Sequence, residues 1–257
     1  MEAAATVKPV KIKRWLPYWA VFQADVHQTL RSWVYRFWVL ATILTTVGYL
    51  LYRYGVYREA GIVQPASNVV SELLRWTLLG SVTLIVALTA SSISGERGTM
   101  ADSVLSRGIS RYQYFLGKLH ARLFTILATY FVMGFLLLAS CLILLHEDLD
   151  YAGCFMALVT VGAVLGAIIA LGVSVSAMVN TTAVGVAALW IVIYGGGFAL
   201  SLLPASVPSP ERSLHNLPFI LQGKYNATAL CQLMGWSGLF SCAAAVVGLG
   251  YFARRDV

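Results

Sequence analysis

The sequence predicts an all-α integral membrane protein: six transmembrane helices preceded by an amphipathic interfacial helix, with a short cytoplasmic helix between spans two and three. Three observations lead there. The 257 residues are 59% hydrophobic and only 11% charged, with a mean hydropathy of +0.76, whereas soluble domains carry about 25% charged residues. Crossing a hydrocarbon core of about 30 Å takes roughly 20 apolar residues of helix. Six stretches meet that length: Trp33–Tyr52, Leu73–Ile93, Leu123–Leu145, Tyr151–Val179, Ala183–Leu203 and Leu233–Phe252. Finally, the basic residues fall mostly on one side of the alternating loops.

The spans use up most of the chain, so residues 1–257 read as one transmembrane domain. Residues 1–32 form a cytoplasmic tail and the interfacial helix, 33–252 the spans, and 253–257 a second cytoplasmic tail. With the N-terminus inside, the inner face carries thirteen Lys and Arg against five acids, and the outer face five against six. Lys and Arg retained in the cytoplasm set topology, so the net charge of +7 reads as an orientation signal. It places both termini on the cytoplasmic side of the cell's inner (plasma) membrane. No aromatic-basic interleaving accompanies the charge, which argues against nucleic acid as a partner and for membrane lipid.

The elements follow in order. Residues 1–14 are polar and basic. No cleavable signal peptide is expected, because the first apolar run exceeds the roughly 7–15 residues of a signal-peptide core. From Trp15 to Trp33, the residues Trp19, Phe22, Val26, Leu30 and Trp33 recur at helical steps, with Gln23, Asp25, His27, Gln28 and Arg31 on the other side. That pattern predicts a helix lying in the inner membrane interface; the alternative is an N-terminal extension of the first span. Arg53–Glu72 forms the first outer loop. His146-Glu147-Asp148-Leu149-Asp150 forms a short acidic one that matches no metal-ligand spacing and reads as a solvated turn. Pro204–Gln232 is the largest outer segment, and its Pro218-Phe219-Ile220-Leu221 is apolar enough to dip into the interface. Asn226-Ala227-Thr228 fits a glycosylation sequon, meaningful only in a eukaryotic host. Gly162 and Gly166 stand four apart in span four and suit close helix approach. Gly195-Gly196-Gly197 in span five reads as either a packing face or a hinge. Cys141, Cys154, Cys231 and Cys242 form no close pair and read as small packing residues.

What the spans lack is equally informative. Buried charges cost about 2.5–3.5 kcal/mol each even on lenient scales, and the middles of all six spans contain no Asp, Glu, Lys, Arg or His. Arg36 and Arg122 lie close enough to the inner boundary to snorkel. A proton relay or self-powered secondary transporter is not expected. Nor is an intramembrane protease, since Ser92, Ser94, Ser174 and Ser176 have no histidine in a helix core to activate them. Leu116-Gly117-Lys118-Leu119 lacks the glycine and the Ser or Thr that a phosphate loop requires. The chain is therefore not expected to be an enzyme, to hold a metal or to bind ATP itself.

The segment between spans two and three is the richest: Gly95-Glu96-Arg97-Gly98-Thr99-Met100, then Asp102, Val104, Leu105, Ser106, Arg107 and Gly108, then Ser110-Arg111. Thr99 with Asp102 resembles a capping box and starts a short helix that Arg107-Gly108 ends. Ser110 with Gln113 completes the box pattern and starts the helix of span three. Read plainly, this is a solvated positive-inside loop. Read functionally, it is a capped lever whose Met100, Val104 and Leu105, set among charges, offer a partner something to grip.

This segment resembles that of the permease subunits of type-2 ABC exporters, which commonly carry Glu-x-x-Gly-Thr after span two and a Gly-Lys pair as span three begins. Here these are Glu96-Arg97-Gly98-Thr99 and Gly117-Lys118, with Leu105-Ser106-Arg107-Gly108-Ile109-Ser110-Arg111 between them. Gly108 stands where that family usually has Pro. The resemblance extends to the basic interfacial helix, the six spans, the tight fourth loop Val179-Asn180-Thr181-Thr182 and the basic C-terminus. It implies a homodimer docked on two ATP-binding subunits, with ATP and Mg bound in those partners and no cofactor in this chain. Residues 95–111 would be the main coupling helix, and Asn180 and Thr181 a second contact. Export of a substrate is the implied function. The alternatives are a mechanotransmission permease acting on an extracytoplasmic accessory protein, and, from another class, a non-transporting membrane scaffold.

Overall fold

A computed structural model describes residues 15–61, 65–96, 109–145, 148–202 and 209–254. The chain is a multi-pass, all-α membrane protein. Among the described residues there are nine helices: α1 Leu16–Arg31, α2 Trp33–Ala60, α3 Ala66–Ser94, α4 Arg111–Leu145, α5 Tyr151–Met178, α6 Thr182–Ser201, α7 Pro210–His215, α8 Leu217–Leu221 and α9 Ala227–Arg254. Six of them, α2 to α6 and α9, are long and apolar enough to cross a membrane. They overrun the sequence-read spans: α3 begins seven residues earlier than expected and α4 twelve. Helix continues past the apolar run because backbone bonding favours extension until a cap or breaker stops it.

Local chemistry sets several boundaries. Ser32 is extended and its hydroxyl accepts from the Tyr35 amide at 3.2 Å, so α1 and α2 are separate helices. Ser110 and Gln113 exchange both bonds of the capping box at 3.2 Å, and α4 starts there. Asp150 accepts from the Gly153 amide at 2.8 Å and caps α5, which commits this carboxylate of the acidic loop to the helix. Asn226 of the sequon accepts from the Thr228 and Ala229 amides, so its side chain caps α9. The short helix expected to start at Thr99 falls in 97–108, outside the described residues.

Helix α5 is the hub, packing on α3, α4, α6, α8 and α9. Glycines bring its neighbours close. A Cβ on Gly162 would stand 3.0 Å from the Phe131 ring, one on Gly172 would collide with the Thr89 hydroxyl, and one on Gly248 of α9 would stand 2.7 Å from Ser174. Gly166 meets nothing nearer than 3.9 Å. The segment expected to dip inward is α8, whose Leu217, Ile220 and Leu221 are buried against α3 and α5. In contrast, α2, α6 and α9 turn most of their surface outward. The glycine triplet of α6 does not break the helix, which runs through it, and among the described residues a Cβ there would meet nothing within 4 Å.

Candidate functional site

The N-terminal part of α4 places Lys118 and Arg122 four residues apart, on one face of the helix. Both are buried, at 2% and 5% exposure. Two like charges out of water need counter-charges, and α1 and the end of α3 supply them. Asp25, only 2% exposed, meets Lys118 Nζ at 3.2 Å through Oδ1. Arg122 forks onto the same carboxylate: Nη2 donates to Oδ1 at 3.3 Å, and Nε faces Oδ2 at 3.0 Å as a charge contact without hydrogen-bond alignment. Glu96 meets Lys118 Nζ at 2.7 Å and accepts from the Tyr114 hydroxyl at 2.7 Å. Lys118 also donates to the Ser92 carbonyl at 2.7 Å, so the three donors of its ammonium are all used. Two cations and two carboxylates thus form one neutral cluster linking α1, α3 and α4.

Gly117 explains how α1 comes near enough. A Cβ there would lie 2.9 Å from Val21 Cγ1 and 3.3 Å from the Tyr18 carbonyl. Nearby, the Tyr18 hydroxyl meets His120 Nδ1 at 3.0 Å and Phe22 packs on Phe124. Between these two contacts both helices advance by one turn, so α1 and α4 run side by side here.

This geometry corrects two sequence readings. The periodicity of α1 puts Asp25 on its polar side, yet the buried stripe is Val21, Asp25 and Thr29, while Trp19, Leu30 and Trp33 are exposed. Arg122, expected to snorkel, is instead held inside by Asp25. The roles of Lys118, Tyr114 and Ser176 do not emerge from the sequence reading at all. The pair Lys118/Arg122, four residues apart on one face of α4 just before its apolar run, is the signal that points to the cluster.

The last turn of α3 is held from a second direction. The Ser176 hydroxyl of α5 donates to the Ala90 carbonyl at 2.6 Å and accepts from the Ile93 and Ser94 amides at 3.0 Å, entering the helix ladder. Ser94 in turn meets the Thr182 hydroxyl at 3.2 Å. The two segments singled out separately, around Gly95 and around Asn180-Thr181, are therefore neighbours. Gly95 is exposed and ends α3; Asn180 and Thr181 are exposed in the link to α6, where Thr181 accepts from the Val184 amide at 3.5 Å. Ser110 caps α4, and Arg111 donates to the Ala253 carbonyl of α9 at 3.1 Å. Arg97, Gly98, Thr99, Met100, Asp102, Val104, Leu105, Ser106 and Arg107 lie outside the described residues.

Burial alone would push the Glu96 carboxyl up. The Lys118 charge, with hydrogen bonds from Lys118, Tyr114 and Gln28, outweighs it and leaves the pKa below its ordinary 4.5. A carboxylate with a lowered folded pKa contributes stability that is full above the unfolded value and lost as pH falls through the folded one. The unfolding temperature of the wild type should therefore exceed that of Glu96→Gln at pH 7, and the gap should close on acidification below 4.5. A gap independent of pH would mean that Glu96 is not ionised in this cluster.

Among the described residues no three His, Cys, Asp or Glu side chains come together to hold a metal ion. The chain matches no protein-family model, and no curated protein matches it.

Proposed function

We propose that the chain is the membrane subunit of a type-2 ABC exporter, converting ATP-driven motion of a separate ATPase subunit into movement of the spanning helices. One observation carries this reading. The two parts of the sequence pattern that suggest it, Glu96 and Gly117-Lys118, lie 21 and 22 residues apart in the chain yet act together: Glu96 and Lys118 pair at 2.7 Å, and Gly117 admits α1 beside them. A segment that takes force from a partner must be rooted in rigid structure, or it yields without moving the helices. Residues 97–108 leave from such a root at Glu96 and return to another at Ser110.

On this reading Glu96, with both carboxylate oxygens engaged within the chain, anchors the coupling segment. Contact with the ATPase falls to Arg97–Arg107, with Asn180 and Thr181 as a second contact. The termini and the ion cluster face the cytoplasm of the cell's inner membrane, as the basic residues require. Helix α1, with Trp15, Trp19 and Trp33 exposed, sits at the interface where tryptophan anchors favour it. The outward faces of α6, including its glycine triplet, leave room for the close approach of a second copy. ATP and Mg belong to the partner.

Mild solubilisation from native membranes should bring down an ATP-binding subunit in a complex of two copies of each chain, read as an intact mass. A stable monomer without an ATPase would favour the scaffold reading.

A further inference from the structure

A lateral slot opens among α2, α3 and α4, with a volume of about 300 Å³, at the lower end of the range of small-molecule sites. Two stripes form its walls. Trp38, Thr42, Thr46 and Leu50 recur every fourth residue on α2, and Thr129, Met133 and Leu137 do so on α4. Its floor is closed by buried Leu74 and Tyr130, while its rim carries exposed Ile43, Val47 and Leu136. The slot therefore opens towards lipid between two spanning helices.

Four of the polar groups around it are spent within the protein, while Thr42, Thr46 and Thr77 add three hydroxyls to its lining. Thr129 donates to the Thr125 carbonyl and meets the Tyr35 hydroxyl at 2.7 Å. Ser140 donates to the Leu136 carbonyl, Tyr130 to the Leu158 carbonyl, and the Trp38 indole to Ser81. The lining holds no charged side chain, so a charged or strongly polar ligand entering here would lose more hydration than three hydroxyls return. A hydrocarbon chain loses nothing. The α2 stripe from Trp38 to Leu50 is about 18 Å long at 1.5 Å per residue, close to the roughly 15 Å of one leaflet's hydrocarbon.

We propose that this slot is a binding site for one acyl chain of a bilayer phospholipid, which enters sideways between α2 and α4 and lies along the two stripes. The bound chain fills the wedge between α2 and the rest of the bundle. The site stands independently of the exporter reading.

The test uses the full chain in phosphatidylcholine vesicles doped with phosphatidylcholine carrying a mid-chain diazirine. After solubilisation, washing with lipid-free detergent and illumination, labelled residues are mapped by mass spectrometry. Label should remain on Met133 but be washed away from Ile191, an exposed position on α6. Thr46→Trp and, separately, Thr42→Phe should each lower labelling of Met133 by about tenfold, the loss of roughly 1.4 kcal/mol of binding. Labelling of Met133 no stronger than that of Ile191 in the wild type would overturn the site without any variant. So would retained label that neither filled variant reduces. A slot covered by a second copy of the chain would leave Met133 unlabelled and would equally overturn the site.

Discussion

Asp25→Ala should be the most damaging single substitution in the ion cluster, costing about 3–5 kcal/mol, the usual penalty for leaving a buried charge without its partner. Asp25 is the carboxylate shared by Lys118 and Arg122. Its loss leaves two buried cations facing Glu96 alone, and Glu96 contacts only Lys118 of the two. Against a total stability of about 5–15 kcal/mol, that is a large fraction. Heating the detergent-solubilised protein should show a much lower unfolding temperature, or little protein in the membrane at all. Asp25→Leu combined with Arg122→Met should recover most of the loss, because the Lys118–Glu96 pair survives and apolar replacements of a buried ion pair are often neutral. The two sites touch, so their effects should be far from additive. An unchanged unfolding temperature for Asp25→Ala would contradict the cluster itself.

The second large effect concerns coupling. If 97–108 takes force from an ATPase, Asp102→Arg and Arg107→Glu should each cut transport-linked activity, and the permease's influence on ATP turnover, by about tenfold, the equivalent of some 1.4 kcal/mol. Unfolding temperature and dimer mass should be little altered. Glu96→Arg makes a different prediction. It sets a third cation beside Lys118 and Arg122, so stability should fall together with coupling. The contrast separates the anchor from the contact surface. Normal coupling in both Asp102→Arg and Arg107→Glu would remove the segment from the mechanism.

Much of the scaffold was legible in the residues. The six spans follow from the length of apolar runs, because a bilayer rewards nothing else over that distance. Ser110 with Gln113 marks a helix start because capping joins residues two or three apart, a separation at which sequence is a faithful guide to contact. Ser32 and Asp150, which cap two other helices, do not emerge as caps from the sequence reading. The candidate segment was legible in part: its two ends, Glu96 and Ser110, have definite structural roles, but the direction of the Glu96 carboxylate was not readable. Its strongest local candidates, Arg97 and Arg107, are outside the described residues. Its strongest described partner, Lys118, is 22 residues away on the next helix.

What the sequence alone determined, then, was the number of spans, their order and the chemistry of their ends. Only the tertiary structure decided which side of α1 faces protein and where the charges go. The aromatic stripe of α1 is exposed, since inward burial of Trp19 and Leu30 gains little when the alternative is lipid or its interface. The polar side is what misleads, because its Asp25 is buried. The Asp25 carboxylate has no such alternative, since it must find cations wherever helices bring them. Lys118 and Arg122 come from α4, more than ninety residues further along the chain, and Gly117 lets the two helices close over the pair. Apolar length is a local property that a single chain segment displays. Charge neutralisation in a low-dielectric interior is a property of the assembled bundle.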